Sequence, residues 1–378
     1  MKNMPSALVL RASVASFLIA ALAACSSTPS KPKPVDLPAN VALLGVRQAW
    51  NAKLGNVSFP LTVSVSGSTV AVASNNGTVL ALDGATGREL WRASVDAPLS
   101  AGVGSDGKVT AVVTRDNEVV ALEAGRVLWR QRLGAQTYTP PLVAGGRVFL
   151  LAADRSVTAY DGQTGRRLWN QQRTGEALVL GQSSVLMAVG DLLVAGMSGR
   201  LVGMNPANGS TRWEAAIAAP RGTNEVERLV DLVGSVSRVG NVVCARAFQS
   251  AVGCVDAQSG RLLWTKPAVA SEGVGGNDSA VFGTEGDGNV LAWNRTDGER
   301  LWSSERLRYR TLSAPLAVGR SVVVGDGTGL VHFLSRDDGS ALTRVSTDGS
   351  AIAADPVLAG NTVVVVTHNG GVFGFQPE

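Results

Sequence analysis

Short apolar runs closed off by glycine recur along the chain from residue 46 to the C-terminus, as in residues 67–73, 146–152, 240–245 and 360–366. Runs this short, alternating or continuous and bounded by turn residues, predict β-strands and not helices. Downstream of each comes a fixed unit. Its clearest copy is Val79-Leu80-Ala81-Leu82-Asp83-Gly84-Ala85-Thr86-Gly87-Arg88-Glu89-Leu90-Trp91, an apolar strand ending in Asp, a Thr-Gly turn, and a second strand ending in Leu-Trp. The unit returns as Ala159-Tyr160-Asp161 with Thr164-Gly165 and Leu168-Trp169, and as Val255-Asp256 with Ser259-Gly260 and Leu263-Trp264. Weaker copies centre on Leu122-Glu123, Met204-Asn205, Trp293-Asn294 and Leu334-Ser335, and the last, Gly374-Phe375-Gln376, stops with the chain.

Trp91, Trp129, Trp169, Trp213, Trp264 and Trp302 are separated by 38, 40, 44, 51 and 38 residues. A period near 40 in a strand-rich chain is the mark of a β-propeller with four strands per repeat. Eight copies of the strand before the turn are present, but only seven are followed by an outer strand. Val46-Arg47-Gln48-Ala49-Trp50, ending 41 residues before Trp91, supplies the eighth. The sequence therefore predicts an all-β fold: an eight-bladed β-propeller of four-stranded blades over residues 41–378, its ring closed by the N-terminal strand. Closure of this kind removes the open edges that a sheet otherwise presents. Within the repeat, Asp or Asn caps the turn, Gly takes its positive φ, and Trp fills the seam between blades. The fixed offset of Asp83, Asp161 and Asp256 to the turn reads as capping and not as a ring of carboxylates for metal or acid–base chemistry.

Composition agrees with many short buried strands joined by tight turns: 44 Gly, 15 Pro, and only 17% charged residues against 45% hydrophobic. The N-terminus is different in kind. Lys2 and Arg11 flank an apolar stretch at residues 12–21 that is too short to span a bilayer, and Leu22-Ala23-Ala24-Cys25 follows. This pattern reads as a secretory signal, residues 1–24, whose end resembles the bacterial lipobox, which implies that Cys25 is acylated and becomes the new N-terminus; the alternative is an ordinary secretory signal with an incidental Cys. Ser26 and Ser27 occupy the positions where an Asp marks retention in the inner membrane, so the cell outer membrane, facing the periplasm, is the expected address. Residues 25–40, with Lys31-Pro32-Lys33-Pro34 at their centre, read as the lipidated Cys and an extended flexible tether. Loss of Lys2 and Arg11 reduces the formal net charge from +4 to +2, a balance that implies no nucleic-acid partner.

Two further cysteines, Cys244 and Cys254, remain in the mature chain. If their turn centres on Gln249 they face each other across a hairpin, and both a disulfide and two buried thiols fit that placement. The two histidines, His332 and His368, lie in or beside apolar strands with no second His or Cys at ligand spacing, and read as core or turn residues. Residues 283–288 and 325–329 are glycine-rich, but neither opens a helix or supplies a full ligand series, so both read as hairpin turns. No metal site and no cofactor is expected.

The Ala-Leu-Asp-x-x-Thr-Gly-x-x-x-Trp repeat resembles that of quinoprotein-type propellers. Together with the lipobox and eight repeats, it resembles the outer membrane protein assembly factor B family. A second match is Gly222-Thr223-Asn224-Glu225-Val226-Glu227-Arg228-Leu229-Val230-Asp231, which is similar to that family's Gly-Ser-Thr-Glu-Ile-Asp-Arg-Leu-x-Asp segment and lies in the longest interval between Trp residues. Ser313-Ala314-Pro315-Leu316 with Val324-Gly325-Asp326 also fits. The resemblance implies a non-catalytic scaffold lipoprotein of the β-barrel assembly machinery. It would be anchored to the outer membrane, dock on the periplasmic POTRA domains of the central barrel subunit, support insertion of outer-membrane proteins and meet them as nascent chains. Together with the position of their loops in the longest stretches between Trp residues, the resemblance places docking on Leu178, Leu180, Glu225, Arg228 and Asp231; the alternative for Arg228 and Asp231, three apart, is a pair with each other that holds the long loop. Two departures stand out: Gly181 follows Leu180 where the family has Arg, and Val233 stands where it has a second Asp. The rival readings are a periplasmic quinoprotein-type dehydrogenase, for which the chain lacks the Ca²⁺, base and cofactor-stacking constellation, and a glycan-binding propeller, which the 5% aromatic content does not favour.

Overall fold

The computed structural model describes residues 32–174 and 178–378. The signal-peptide and Cys25 readings lie outside the described residues. Eight four-stranded antiparallel sheets follow one another along the chain. Blade one is Ser64–Ser66, Thr69–Ala73, Thr78–Asp83 and Glu89–Ser94, and each later blade repeats that order through blade seven, which ends at Ala341–Ser346. Blade eight takes three strands from the C-terminus, Val357–Ala359, Thr362–Val366 and Gly371–Pro377, and its outer strand from the N-terminus, Val46–Lys53. Trp50 sits opposite Gly374 in that pairing. The ring closes as the count of repeats predicts.

The two middle strands of each blade carry the core. Thr362–Val366 is buried at every position, as is Val109–Thr114. Outer strands alternate, as Glu89–Ser94 does. Residues with branched or aromatic side chains on these central strands pack face to face with the next blade, so every apolar cluster straddles a seam. One such cluster joins Val252 and Trp264 of blade five to Val281, Leu291 and Trp293 of blade six.

At the rim the tryptophans do what their spacing suggests, with one addition. Each reaches forward onto the turn of the following blade. Trp50 Nε1 donates to Gly84 O (3.1 Å), Trp129 to Gly162 O (2.9 Å) and Trp264 to Arg295 O (2.7 Å). The ring lies against the turn glycine, so a Cβ at Gly87 would stand 2.5 Å from Trp50 Cδ2, and one at Gly165 2.6 Å from Trp129. Both glycines also hold φ near +70°. Two independent constraints thus select Gly at this position. The capping reading of the Asp residues holds too: Asp83 Oδ1 accepts from Thr86 N (2.9 Å) and Oγ1 (2.7 Å). Asp161 and Asp256 do the same with Thr164 and Ser259, and these bonds hold all three carboxyls below their ordinary range.

Blade seven has Thr343 where other blades have Trp. The reason is topological: blade eight ends at the chain termini and offers no turn for a ring to cover. The place is taken by residues 35–45. Asn40 Nδ2 donates to Arg344 O (3.0 Å), the Arg344 amide donates back to Asn40 Oδ1 (3.1 Å), and Leu43 N donates to Leu342 O (2.7 Å). Leu37 packs on the cluster formed by blades six and seven. The body consequently begins at Val35 and not at residue 41, where the Pro-rich composition alone puts the boundary. Backbone pairing with an outer strand leaves little trace in residue type, which is why this strap reads as tether.

Cys244 and Cys254 are direct cross-strand partners in blade five, and the structure joins them in a disulfide with a Cα–Cα distance of 3.9 Å. Both are fully buried. Thiol counting under denaturing, non-reducing conditions on protein carrying Cys25→Ser is expected to find no free thiol; a count of two refutes the bridge.

Candidate functional site

Two long connections flank blade four. The first, residues 172–185, runs from the outer strand of blade three (Arg167–Gln171) to Leu186–Val189; the second, residues 217–231, runs from Thr211–Ala216 to the first strand of blade five (Leu232–Val239). The structure ties them together. Asp231 Oδ2 accepts a hydrogen bond from the Leu180 amide (3.0 Å), and Ser184 Oγ donates to Leu232 O (2.7 Å). Leu178 is 36% exposed and Leu180 half-buried. Glu225 and Arg228 are exposed on the turn before Asp231, and Val226 is 70% exposed. That turn is braced from inside: Glu227 N donates to Asn224 Oδ1 (2.9 Å) and Thr223 N to Glu227 Oε2 (2.8 Å). Asp231 therefore clamps the Leu178–Leu180 loop to the segment that carries Glu225 and Arg228.

Sequence reasoning missed a third contributor. Arg155 is buried at the tip of the middle hairpin of blade three, with φ +63°. Its Nε donates to Ser198 Oγ (2.8 Å) and its Nη2 to Leu178 O (3.4 Å), so it supports the Leu178 loop from below. With Tyr138, Leu180, Met197 and Asp231 it lines a pocket between blades three and four. The signal was present. Other blades place a positive-φ glycine at this hairpin tip, as at Gly77, Gly288, Gly329 and Gly370, and an Arg in its stead accepts backbone strain. The cation that the resemblance places after Leu180 is absent from Gly181, but Arg155 brings a guanidinium to the same pocket. Val233, where a second carboxylate would stand, is fully buried.

A channel is lined by the first strands of blades one to five, and hydrogen bonds link the segments that lead into the blades. Gln182 Nε2 of the connection into blade four donates to Ser271 O before blade six (2.9 Å). Asp355, before blade eight, accepts from Ala314 N before blade seven (2.8 Å) and from Ser235 Oγ of blade five. Burial, followed by the nearby charge of Asp355, pushes the Glu272 carboxyl up to about 7. A carboxyl whose pKa rises on folding favours the folded state while it is protonated. That contribution is full below the ordinary value of 4.5 and is lost as the pH climbs to about 7. Glu272→Gln is expected to flatten the pH dependence of the urea midpoint across this window. At pH 8 it should raise stability by roughly 1 to 2 kcal/mol, after allowance for partial solvent screening. An unchanged slope refutes the assignment.

The remaining candidates are structural. His332 Nε2 meets Asp326 Oδ2 (2.9 Å) and Arg310 Nη1 donates to the same oxygen (3.0 Å). Burial pushes the Asp326 carboxyl up, but bonds from His332, Thr328 and Leu330 outweigh it and hold it well below the usual range. His368 Nδ1 lies 2.6 Å from Val57 O. Residues 283–288 and 325–329 are hairpin tips. Among the described residues, no three His, Cys, Asp or Glu side chains come together as a metal site.

Fold and site together define a class, an eight-bladed propeller of quinoprotein-like repeats with a built surface of loops around blade four. A family model described as outer membrane protein assembly factor BamB matches residues 47–101 and 75–304. The chain belongs to the BamB family. Relatives named outer membrane protein assembly factor BamB include one from Burkholderia pseudomallei, 41% identical over 361 residues (94% of this chain, 95% of that one). Another, from Bordetella pertussis, is 36% identical over 359 residues (93% of each). Among solved structures, BamB from Moraxella catarrhalis superposes with a TM-score of 0.79 at 24% identity, covering 88% of this chain and 99% of that one. A quinohemoprotein alcohol dehydrogenase from Comamonas testosteroni reaches 0.68 at 14% identity, with 91% and 79% covered. At these identities the structural likenesses speak to fold alone.

Proposed function

We propose that the chain is a non-catalytic scaffold lipoprotein of the outer-membrane β-barrel assembly machinery, held to the outer membrane through acylated Cys25 and facing the periplasm. It docks on the POTRA domains of the central barrel subunit through Leu178, Leu180, Glu225, Arg228 and Asp231, and supports insertion of nascent outer-membrane proteins. The observation that carries the docking assignment is the Asp231 bond to the Leu180 amide. It joins two loops that are distant in sequence and that carry exposed Leu178, half-buried Leu180 and exposed Glu225 and Arg228, the mixture of apolar and charged groups that an interface uses. Family membership supports the assembly role, since relatives at 36–41% identity bear that name.

The decisive experiment is capture of tagged protein from detergent-solubilised outer membranes. Recovery of the POTRA-bearing barrel subunit is expected, and its absence overturns the docking role. The anchor is tested separately: globomycin should accumulate the precursor. Cys25→Ala protein that still fractionates with the outer membrane refutes the acylation.

A further inference from the structure

The strap fixes where the lipid tether leaves the body. Val35 N donates to Arg308 O (3.1 Å) and Arg310 Nη2 donates to Val35 O (3.2 Å), at the rim between blades six and seven. Between Cys25 and Val35 lie nine residues, three of them proline. Fully extended at about 3.1 Å per residue, they span only about 30 Å, roughly the radius of a domain this size. That rim is therefore held close to the bilayer whatever else the protein binds.

The rim has the chemistry of a membrane interface. Leu43 is 65% exposed, Val41 50%, Val35 41% and Tyr309 38%. The Arg308 guanidinium lies 5.1 Å from the centre of the Tyr309 ring, and Arg306 is exposed beside it. Arg308 is also 3.3 Å from Glu305 and 3.8 Å from Asp287, so its charge is partly offset, and the apolar side chains have to supply most of the contact. Aromatic, aliphatic and Arg side chains in this mixture settle at the headgroup level of a bilayer. An affinity too small to bind a free protein suffices for a tethered one, because the anchor raises the local lipid concentration. In a ring of eight, blade seven faces blade three, so this rim lies opposite the loops that flank blade four on the blade-three side.

We infer that the rim formed by Val35, Val41, Leu43 and Tyr309, with Arg306 and Arg308, rests on the inner surface of the lipid bilayer. The inference depends on the Cys25 anchor proposed above. Acylated full-length protein is reconstituted into phosphatidylethanolamine–phosphatidylglycerol vesicles with brominated acyl chains, carrying a bimane probe at Val41→Cys or, as control, at Val127→Cys on the opposite rim of blade two. Val127 is 43% exposed, and Cys244 and Cys254 are joined and buried. Bromine quenching at position 41 is expected to exceed that at 127 by at least about two-fold, given that such faces sink into the headgroup boundary. It should fall to the control level when Leu43→Glu and Tyr309→Glu are added. Equal quenching at both positions in anchored protein overturns the inference and leaves the anchor standing. Protein that stays in the aqueous phase overturns both. A position-41 probe shielded as fully in detergent without lipid reports a protein occupant and assigns the rim to it instead.

Discussion

Deletion of residues 41–52 is expected to destabilise the body more than any single substitution in it. The deletion removes the outer strand of blade eight and with it the pairing from Val46 opposite Pro377 to Ala52 opposite Val372. It also removes Trp50, which is 8% exposed, donates to Gly84 O and covers the Gly87 turn of blade one. Leu44 and Val46 leave the apolar cluster shared by blades seven and eight. Loss of a buried Trp alone costs about 3 to 5 kcal/mol. With the strand gone as well, the edge of Gly371–Pro377 is laid open, and the unfolding free energy should fall by more than about 5 kcal/mol. A urea titration of the soluble body followed by Trp fluorescence reads this directly. Trp50→Ala should account for the first part of the loss, and a truncated protein with an unmoved midpoint sinks the closure argument.

The second large effect is on binding. Leu178→Ala with Leu180→Ala should weaken capture of the POTRA-bearing partner by about 2 to 4 kcal/mol, a loss of about 30- to 1,000-fold in affinity. The structure explains why the fold should tolerate it. Leu178 is exposed, and what Asp231 grips is the backbone amide of Leu180, which Ala retains. The thermal midpoint should therefore stay within a few degrees, as for substitutions away from a packed core. Asp231→Ala tests the clamp from the other side: it keeps both leucines but frees the loop, so binding should weaken through lost preorganisation. Should the double variant bind normally, or lose binding only because it unfolds, the docking surface lies elsewhere on the propeller.

The ring was legible because its repeat is a chain of local constraints. Asp83 caps its own turn, Gly87 fits under the Trp50 ring from the blade before, and Trp129 imposes the same condition on Gly165. Each contact demands a residue type at a fixed offset, and sequence records such demands. Even the break in the pattern at Thr343 follows once blade eight is seen to lack a turn. The strap does not follow, because Asn40 and Leu43 are held through backbone atoms of Arg344 and Leu342, which any residue supplies. The loop surface proposed for docking was half legible. Loop length and resemblance pointed to Leu178, Leu180 and Asp231, but the bond that unites them joins positions 51 apart, and Arg155 beneath them announced itself only as a bulky residue where a hairpin tip favours glycine.

A protein tied, as proposed above, to a membrane at one end and to a partner at the other would bear load. Tension on the proposed lipid anchor would enter the body at Val35, not at the closing strand. It is taken first by the bonds of Val35 to Arg308 and Arg310, then by those of Asn40 to Arg344 and of Leu43 to Leu342 and Arg320. These bonds are spread along the rim of blade seven. Pulled along its length, such a strap shares the force among them in shear, whereas the strand Val46–Lys53 pulled directly would peel from Gly371–Pro377 one pair at a time. The strap is a strain relief for the ring's only joint between chain ends.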